Sequence, residues 1–151
     1  METMKNNWPH FKIVVVEDDE FYNKLLTKYI KHYIGQIALI KGFTFELKSY
    51  STFGDCERNL DPDTDIMITD YYLNDGYNAM DLLDSVKRKA YLCKVVVLSQ
   101  IQSINTAICT LLEGASEFIY KDKKAPEKSS YIIEDIISQH LQKRYGQSSF
   151  N

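Results

Sequence analysis

The sequence predicts an α/β fold in which a doubly wound, five-stranded parallel sheet carries helices on both faces. Three observations lead there. Short β-branched runs recur along the chain, apolar on consecutive positions, as in strands covered from both sides. Between them lie segments whose apolar residues repeat at helical spacing. Strand and helix alternate strictly, which requires crossovers of one hand and therefore parallel neighbours.

The elements follow in order. Phe11 to Val16 (Phe-Lys-Ile-Val-Val-Val) is the first run, and it stops abruptly at the acids Glu17, Asp18, Asp19 and Glu20. From Phe21 the period changes: Phe21, Leu25, Tyr29 and Tyr33, with Tyr22, Leu26, Ile30 and Ile34, form a helical stripe. Gly35 is a plausible end for that helix, while Ile37, Leu39 and Ile40 either extend it or form a short loop element. Phe43 to Tyr50 alternates as a strand, with Phe43, Phe45, Leu47 and Ser49 on one face. Ser51 or Thr52 caps a short helix to about Leu60, which Asp61-Pro62-Asp63 breaks.

Asp65 to Asp70 is a third apolar run that again ends in an acid. Asn74-Asp75-Gly76 reads as a turn before an amphipathic helix from about Asn78 to Lys89. Lys94 to Ser99 is the fourth strand, and Ser103 to Glu113 fits a helix with Gly114 as its C-cap. Glu117 to Lys121 is the fifth strand. A last helix spans Glu127 to about Arg144, with Tyr131, Ile132, Ile136 and Leu141 facing inward. The domain covers residues 11–145, preceded by an extension (1–10) and followed by a short polar tail (146–151).

Composition narrows the function. The 151 residues are 44% hydrophobic and 26% charged, which suits a globular domain and excludes a disordered or collagen-like chain. Lys and Arg number 18 against 21 Asp and Glu, a formal charge of −3, which argues against nucleic-acid binding. The longest uncharged stretch, Val95 to Leu112, carries Ser99, Gln100, Gln102, Ser103, Asn105, Thr106 and Thr110, too polar for a bilayer span. The N-terminus lacks the apolar core of a secretory signal. Cys56, Cys93 and Cys109 have no metal-ligand spacing and read as reduced thiols packed like small apolar residues. A cytoplasmic, membrane-free protein is expected.

In an open parallel sheet the ligand site lies beyond the carboxyl ends of the strands. That rule collects Glu17, Asp18, Asp70, Ser99 and Lys121 into one site. Three converging carboxylates repel and raise one another's pKa, and a hard divalent cation such as Mg²⁺ relieves this with oxygen ligands. A cation, a lysine and a hydroxyl around one carboxylate could stabilise a phosphoryl group being attached to it.

With these residues in place, the chain resembles a response-regulator receiver domain of two-component signalling, a flavodoxin-like (βα)5 fold, the single-domain chemotaxis type being the nearest comparison. The matching motifs are Ile13-Val-Val-Val-Glu-Asp-Asp-Glu20, Ile66-Met-Ile-Thr-Asp70, Val95-Val-Val-Leu-Ser99 and Gly114-Ala-Ser-Glu-Phe-Ile-Tyr-Lys121, spanning about Lys12 to Arg144. The resemblance implies that Asp70 takes a phosphoryl group from a phosphohistidine on a sensor histidine kinase or a histidine phosphotransfer protein. It implies that Asp18 and Asp70 bind Mg²⁺ directly, Glu17 through water, and that the Tyr72 carbonyl completes the protein ligands. Ser99 and Lys121 would contact the phosphoryl oxygens, and Ser99 with Phe118 would form the switch to an unknown downstream protein. Tyr72 and Ile101 hold the positions that tune dephosphorylation. Ile101 has no hydrogen-bonding group and Tyr72 is bulky enough to narrow access, so a long-lived phosphoryl state is expected. The chain would catalyse only its own phosphotransfer and slow autodephosphorylation, as a monomer or a weak phosphorylation-dependent dimer.

Departures from the family pattern are Gln100 where a small residue is usual, Lys121-Asp122 where Lys-Pro is usual, Asn74 where a proline is usual, and extra residues over 35–43. A phosphorylation-independent pseudo-receiver docking module is the alternative. A haloacid-dehalogenase-type phosphatase needs an acid two residues after the nucleophile, where Tyr72 stands. A flavodoxin-type cofactor site needs a phosphate loop after the first strand, which is missing.

Overall fold

The structure of the protein, a computed structural model, describes residues 7–148 and side chains to residue 144. Five strands, β1 (His10–Val16), β2 (Thr44–Tyr50), β3 (Ile66–Asp70), β4 (Lys94–Ser99) and β5 (Glu117–Tyr120), form one sheet in the order β2-β1-β3-β4-β5. All neighbours are parallel. Five helices connect and follow them: α1 (Glu20–Lys41), α2 (Phe53–Asn59), α3 (Ala79–Lys89), α4 (Ile104–Leu112) and α5 (Ala125–Ser148). Strand order reverses between β1 and β3, which opens a crevice at their carboxyl ends.

The pleat divides the core. Ile13, Val15, Ile66, Ile68, Val96 and Leu98 point to one face, under Leu26, Ile30 and Ile34 of α1 and Ile133 and Ile137 of α5. Val14, Val16, Met67, Val95 and Val97 point to the other, under Leu82, Leu83 and Val86 of α3. The consecutive apolar positions of the strands are thus explained, since both faces are covered.

Caps set the helix starts. Asp19 accepts from the Tyr22 amide (2.9 Å) at the head of α1. Thr52, Asn78 and Ser103 cap α2, α3 and α4, with a full capping box between Asn78 and Asp81.

Several sequence expectations need correction. Helix α1 does not end at Gly35 but continues to Lys41, and the extra residues over 35–43 are mostly its last turns. Burial of Ile34 and Ala38 on the sheet outweighs the cost of a mid-helix glycine, about 1 kcal/mol. The helix stops at Gly42, whose φ of 78° is left-handed and whose N–H bonds the Ala38 carbonyl. Phe21, Leu25 and Tyr29 face solvent, because the stripe that meets the sheet is Leu26-Ile30-Ile34-Ala38. On α5 Tyr131 also lies outward, its ring edge-on to Tyr33 at 5.4 Å, while Ile133 and Ile137 occupy the core.

Helix α5 starts at Ala125 and runs past the expected boundary at 145 to Ser148, so 146–148 are helical rather than tail. Strand β1 begins at His10, inside the expected extension, and the Pro9 carbonyl accepts from the Thr44 amide (2.8 Å). Residues 1–6 and 149–151 of the extension and tail lie outside the described residues. Cys56 and Cys93 are buried and unpaired as expected, but Cys109 is exposed on α4. No helix among the described residues is long and apolar enough to cross a membrane.

Candidate functional site

Each strand that ends at the crevice delivers a polar residue there. β1 runs out at Val16, and the next two residues are Glu17 and Asp18. Glu17 is pulled under the edge, with its amide donating to the Tyr50 carbonyl (3.0 Å). Its far carboxylate oxygen accepts from the Asp19 amide (3.2 Å). β3 delivers Asp70, which accepts from the Tyr71 amide (2.9 Å). β5 delivers Lys121, held in register because its amide donates to the Ser99 carbonyl (2.8 Å).

These side chains converge. Carboxylate oxygens of Glu17, Asp18 and Asp70 all lie within 4.8 Å of one another. The Lys121 ammonium forms a close ion pair with Glu17 and sits 3.5 Å from Asp70. Glu17 and Lys121 are almost fully enclosed, with side-chain exposures of 2% and 6%. They lie at the floor of an open cleft of about 460 Å³ whose walls include Tyr22, Tyr72, Asn74 and Gln100.

Three acids against one ammonium leave the floor negative, and burial intensifies this. Desolvation lifts Glu17 to about 7, with Asp70 adding repulsion and the bond to Lys121 opposing both. Desolvation likewise raises Asp70, against the pull of Lys121. The donor set is all oxygen, which matches a hard cation. Oxygens within 4.8 Å of one another are close enough for one hard cation to draw ligands, directly or through water, from all three carboxylates. The cluster could hold a metal.

The remaining sequence candidates divide. Tyr72 lines the cleft and is about half exposed, its main chain bridged to Asn78. Ser99 is at the end of β4 but buried, and its hydroxyl is engaged locally. It accepts from the Ile101 amide (3.1 Å) and donates to the Ile101 carbonyl (3.2 Å). Ile101 is half exposed; the residue of that loop that borders the cleft is Gln100. Phe118 is half-buried, packed edge-on to Tyr71 with ring centres 6.3 Å apart.

One neighbour escaped the sequence reading. Tyr22, which by periodicity is one apolar residue of a helical stripe, places its ring 4.1 Å from the Lys121 ammonium. The available signal was its position in the first turn of a helix that opens beside the acidic strand end.

No protein-family model and no curated protein matches the sequence. Solved structures do match its shape. The BeF3-activated receiver domain of DrrB is 18% identical, with a TM-score of 0.69, over 85% of this chain and 98% of that one. A response-regulator receiver domain protein from Clostridium thermocellum is 23% identical, with a TM-score of 0.64, over 87% and 97%. The N-terminal domain of an uncharacterized protein from Wolinella succinogenes is 24% identical, with a TM-score of 0.71, over 88% and 98%. Parallel order, crevice position and these likenesses agree: the protein has the flavodoxin-like α/β fold of response-regulator receiver domains.

Proposed function

We propose that the protein is a phosphoacceptor receiver that takes a phosphoryl group onto Asp70 from a phosphohistidine of a kinase or a phosphotransfer protein. The observation that carries this reading is the convergence of Glu17, Asp18 and Asp70 around Lys121 at the carboxyl edge of a receiver fold. Asp70 is the nucleophile: a carboxylate oxygen bonds to phosphorus as the histidine N–P bond breaks. Asp18 and Asp70 would hold Mg²⁺ directly, with the Tyr72 carbonyl, and Glu17 through water. Bound there, the ion supplies positive charge to the phosphoryl oxygens.

Lys121 adds a second positive charge beside Asp70, balancing the oxygens as they gather charge in transfer. Ser99 would leave the Ile101 main chain to donate to a phosphoryl oxygen, and Phe118 would follow it inward. The trigger is a differential contact that biases two arrangements of one loop. Tyr72, on the cleft wall, would restrict the water that hydrolyses the acyl phosphate, giving a long-lived phosphoryl state. Three free thiols fit a reducing compartment, and we place the protein in the cytoplasm.

The test is incubation with Mg²⁺ and acetyl phosphate followed by peptide mass mapping. One phosphate on Asp70 is expected, with labelling abolished in Asp70→Asn. No labelling of the wild-type protein would leave a docking module that works without phosphorylation.

A further inference from the structure

Tyr22 stands at the third position of α1, where Asp19 caps the helix by accepting its backbone amide at 2.9 Å. Side chains on a helix lean toward its N-terminus, so Tyr22 leans out over the crevice edge of the sheet. There its ring face meets the Lys121 ammonium at 4.1 Å from the centroid. Its hydroxyl is buried and has no hydrogen-bond partner.

Lys121 needs such a support. It is a long, flexible side chain with four rotatable methylenes, and it must sit between Glu17 and Asp70 rather than collapse fully onto Glu17. A ring face attracts an ammonium without donating a competing hydrogen bond, and the attraction grows where water is excluded. A buried hydroxyl without a partner costs folding free energy rather than adding any, so it is the ring that explains a large aromatic residue here.

We propose that Tyr22 is a positioning residue for Lys121: its ring face holds the ammonium within reach of Asp70. The inference rests on the proposed phosphoacceptor reading for its consequence, but the placement of Lys121 can be observed without it.

Two measurements separate the possibilities. In the nuclear magnetic resonance spectrum of the wild-type protein, the Lys121 ε-methylene protons should be shifted upfield by the ring. The shift should persist in Tyr22→Phe and vanish in Tyr22→Leu. With Mg²⁺ and acetyl phosphate, Tyr22→Leu should label Asp70 about fivefold more slowly than wild type, the equivalent of about 1 kcal/mol. Tyr22→Phe, which keeps the ring face, should label at the wild-type rate.

Ordinary Lys121 shifts in the wild-type protein would overturn the proposal, whether or not any variant folds. So would a Tyr22→Leu protein that labels as fast as wild type. Failure of the wild-type protein to label at all would instead sink the phosphoacceptor reading, and the ring shift would still decide where Lys121 is held.

Discussion

Helix α1 sinks Leu26, Ile30, Ile34 and Ala38 against the sheet, and Ile133 and Ile137 of α5 lie beside them. Helix α4, on the far side of the molecule, buries Thr110 alone, and that hydroxyl turns back to the Thr106 carbonyl at 2.6 Å. Its apolar side chains stand in solvent instead: Ile104 is 78% exposed and Leu112 81%. The α1–α5 pair is further tied by Tyr33 donating to Glu134 and Lys41 donating to Ser138, both at 2.6 Å. Each fully buried aliphatic side chain contributes about 1.5–3 kcal/mol, so the two regions differ by several such terms. With so little buried, α4 is the weakly held element of the two regions. The site joins the two regions, since Glu17 leads into α1 while Ser99 and Gln100 lead toward α4.

The largest test of the contrast is Ile133→Ala, which empties a fully buried place between α5 and the sheet. A loss of about 2–4 kcal/mol is expected in urea unfolding. A loss below about 1 kcal/mol would mean the layer is not cohesive.

Next comes the acid at the junction. In metal-free protein the Glu17 pKa lies near 7 rather than its ordinary 4.5, so the folded state keeps a proton that the unfolded chain has released. Stability should therefore fall as pH rises from about 4.5 to about 7, and the cost is fully present above that window. Urea midpoints measured across the window should slope downward, and Glu17→Gln should flatten the slope. A rising midpoint would show that Lys121 outweighs burial.

A smaller effect, of opposite sign, is expected within α1. A Cβ at Gly35 meets nothing within 4 Å, and the helix continues through this position. Gly35→Ala should stabilise by about 0.5–1 kcal/mol, measured as a raised urea midpoint. Destabilisation would argue that the helix is interrupted there in solution.

The smallest change belongs to α4. Replacing Ile104 and Leu112 together by serine should alter stability by about 0.5 kcal/mol or less, since both side chains already face water. A loss of several kcal/mol, or a change in sedimentation, would show that this surface is covered in solution.

What the sequence determined by itself was the order of elements and the ends of the strands. Doubly covered strands read as β-branched runs, and the residues that close them, Glu17, Asp18, Asp70, Ser99 and Lys121, follow from where each run stops. Chain order and the crevice rule place them along one carboxyl edge, where Glu17, Asp18, Asp70 and Lys121 converge while the Ser99 hydroxyl bonds the Ile101 main chain. Tertiary structure alone decided which helical face turned inward. Phe21-Leu25-Tyr29 and Leu26-Ile30-Ile34 have the same period and comparable apolarity, and the sheet selects between them through the direction in which α1 leaves Asp19. It also decided that α1 would pass Gly35, since the gain from burying Ile34 and Ala38 exists only once the sheet is present. Finally it placed Tyr22 under Lys121, a contact between residues 22 and 121 that no local pattern encodes. Periodicity reports neighbours along the chain, and packing across the crevice depends on elements folded from distant parts of it.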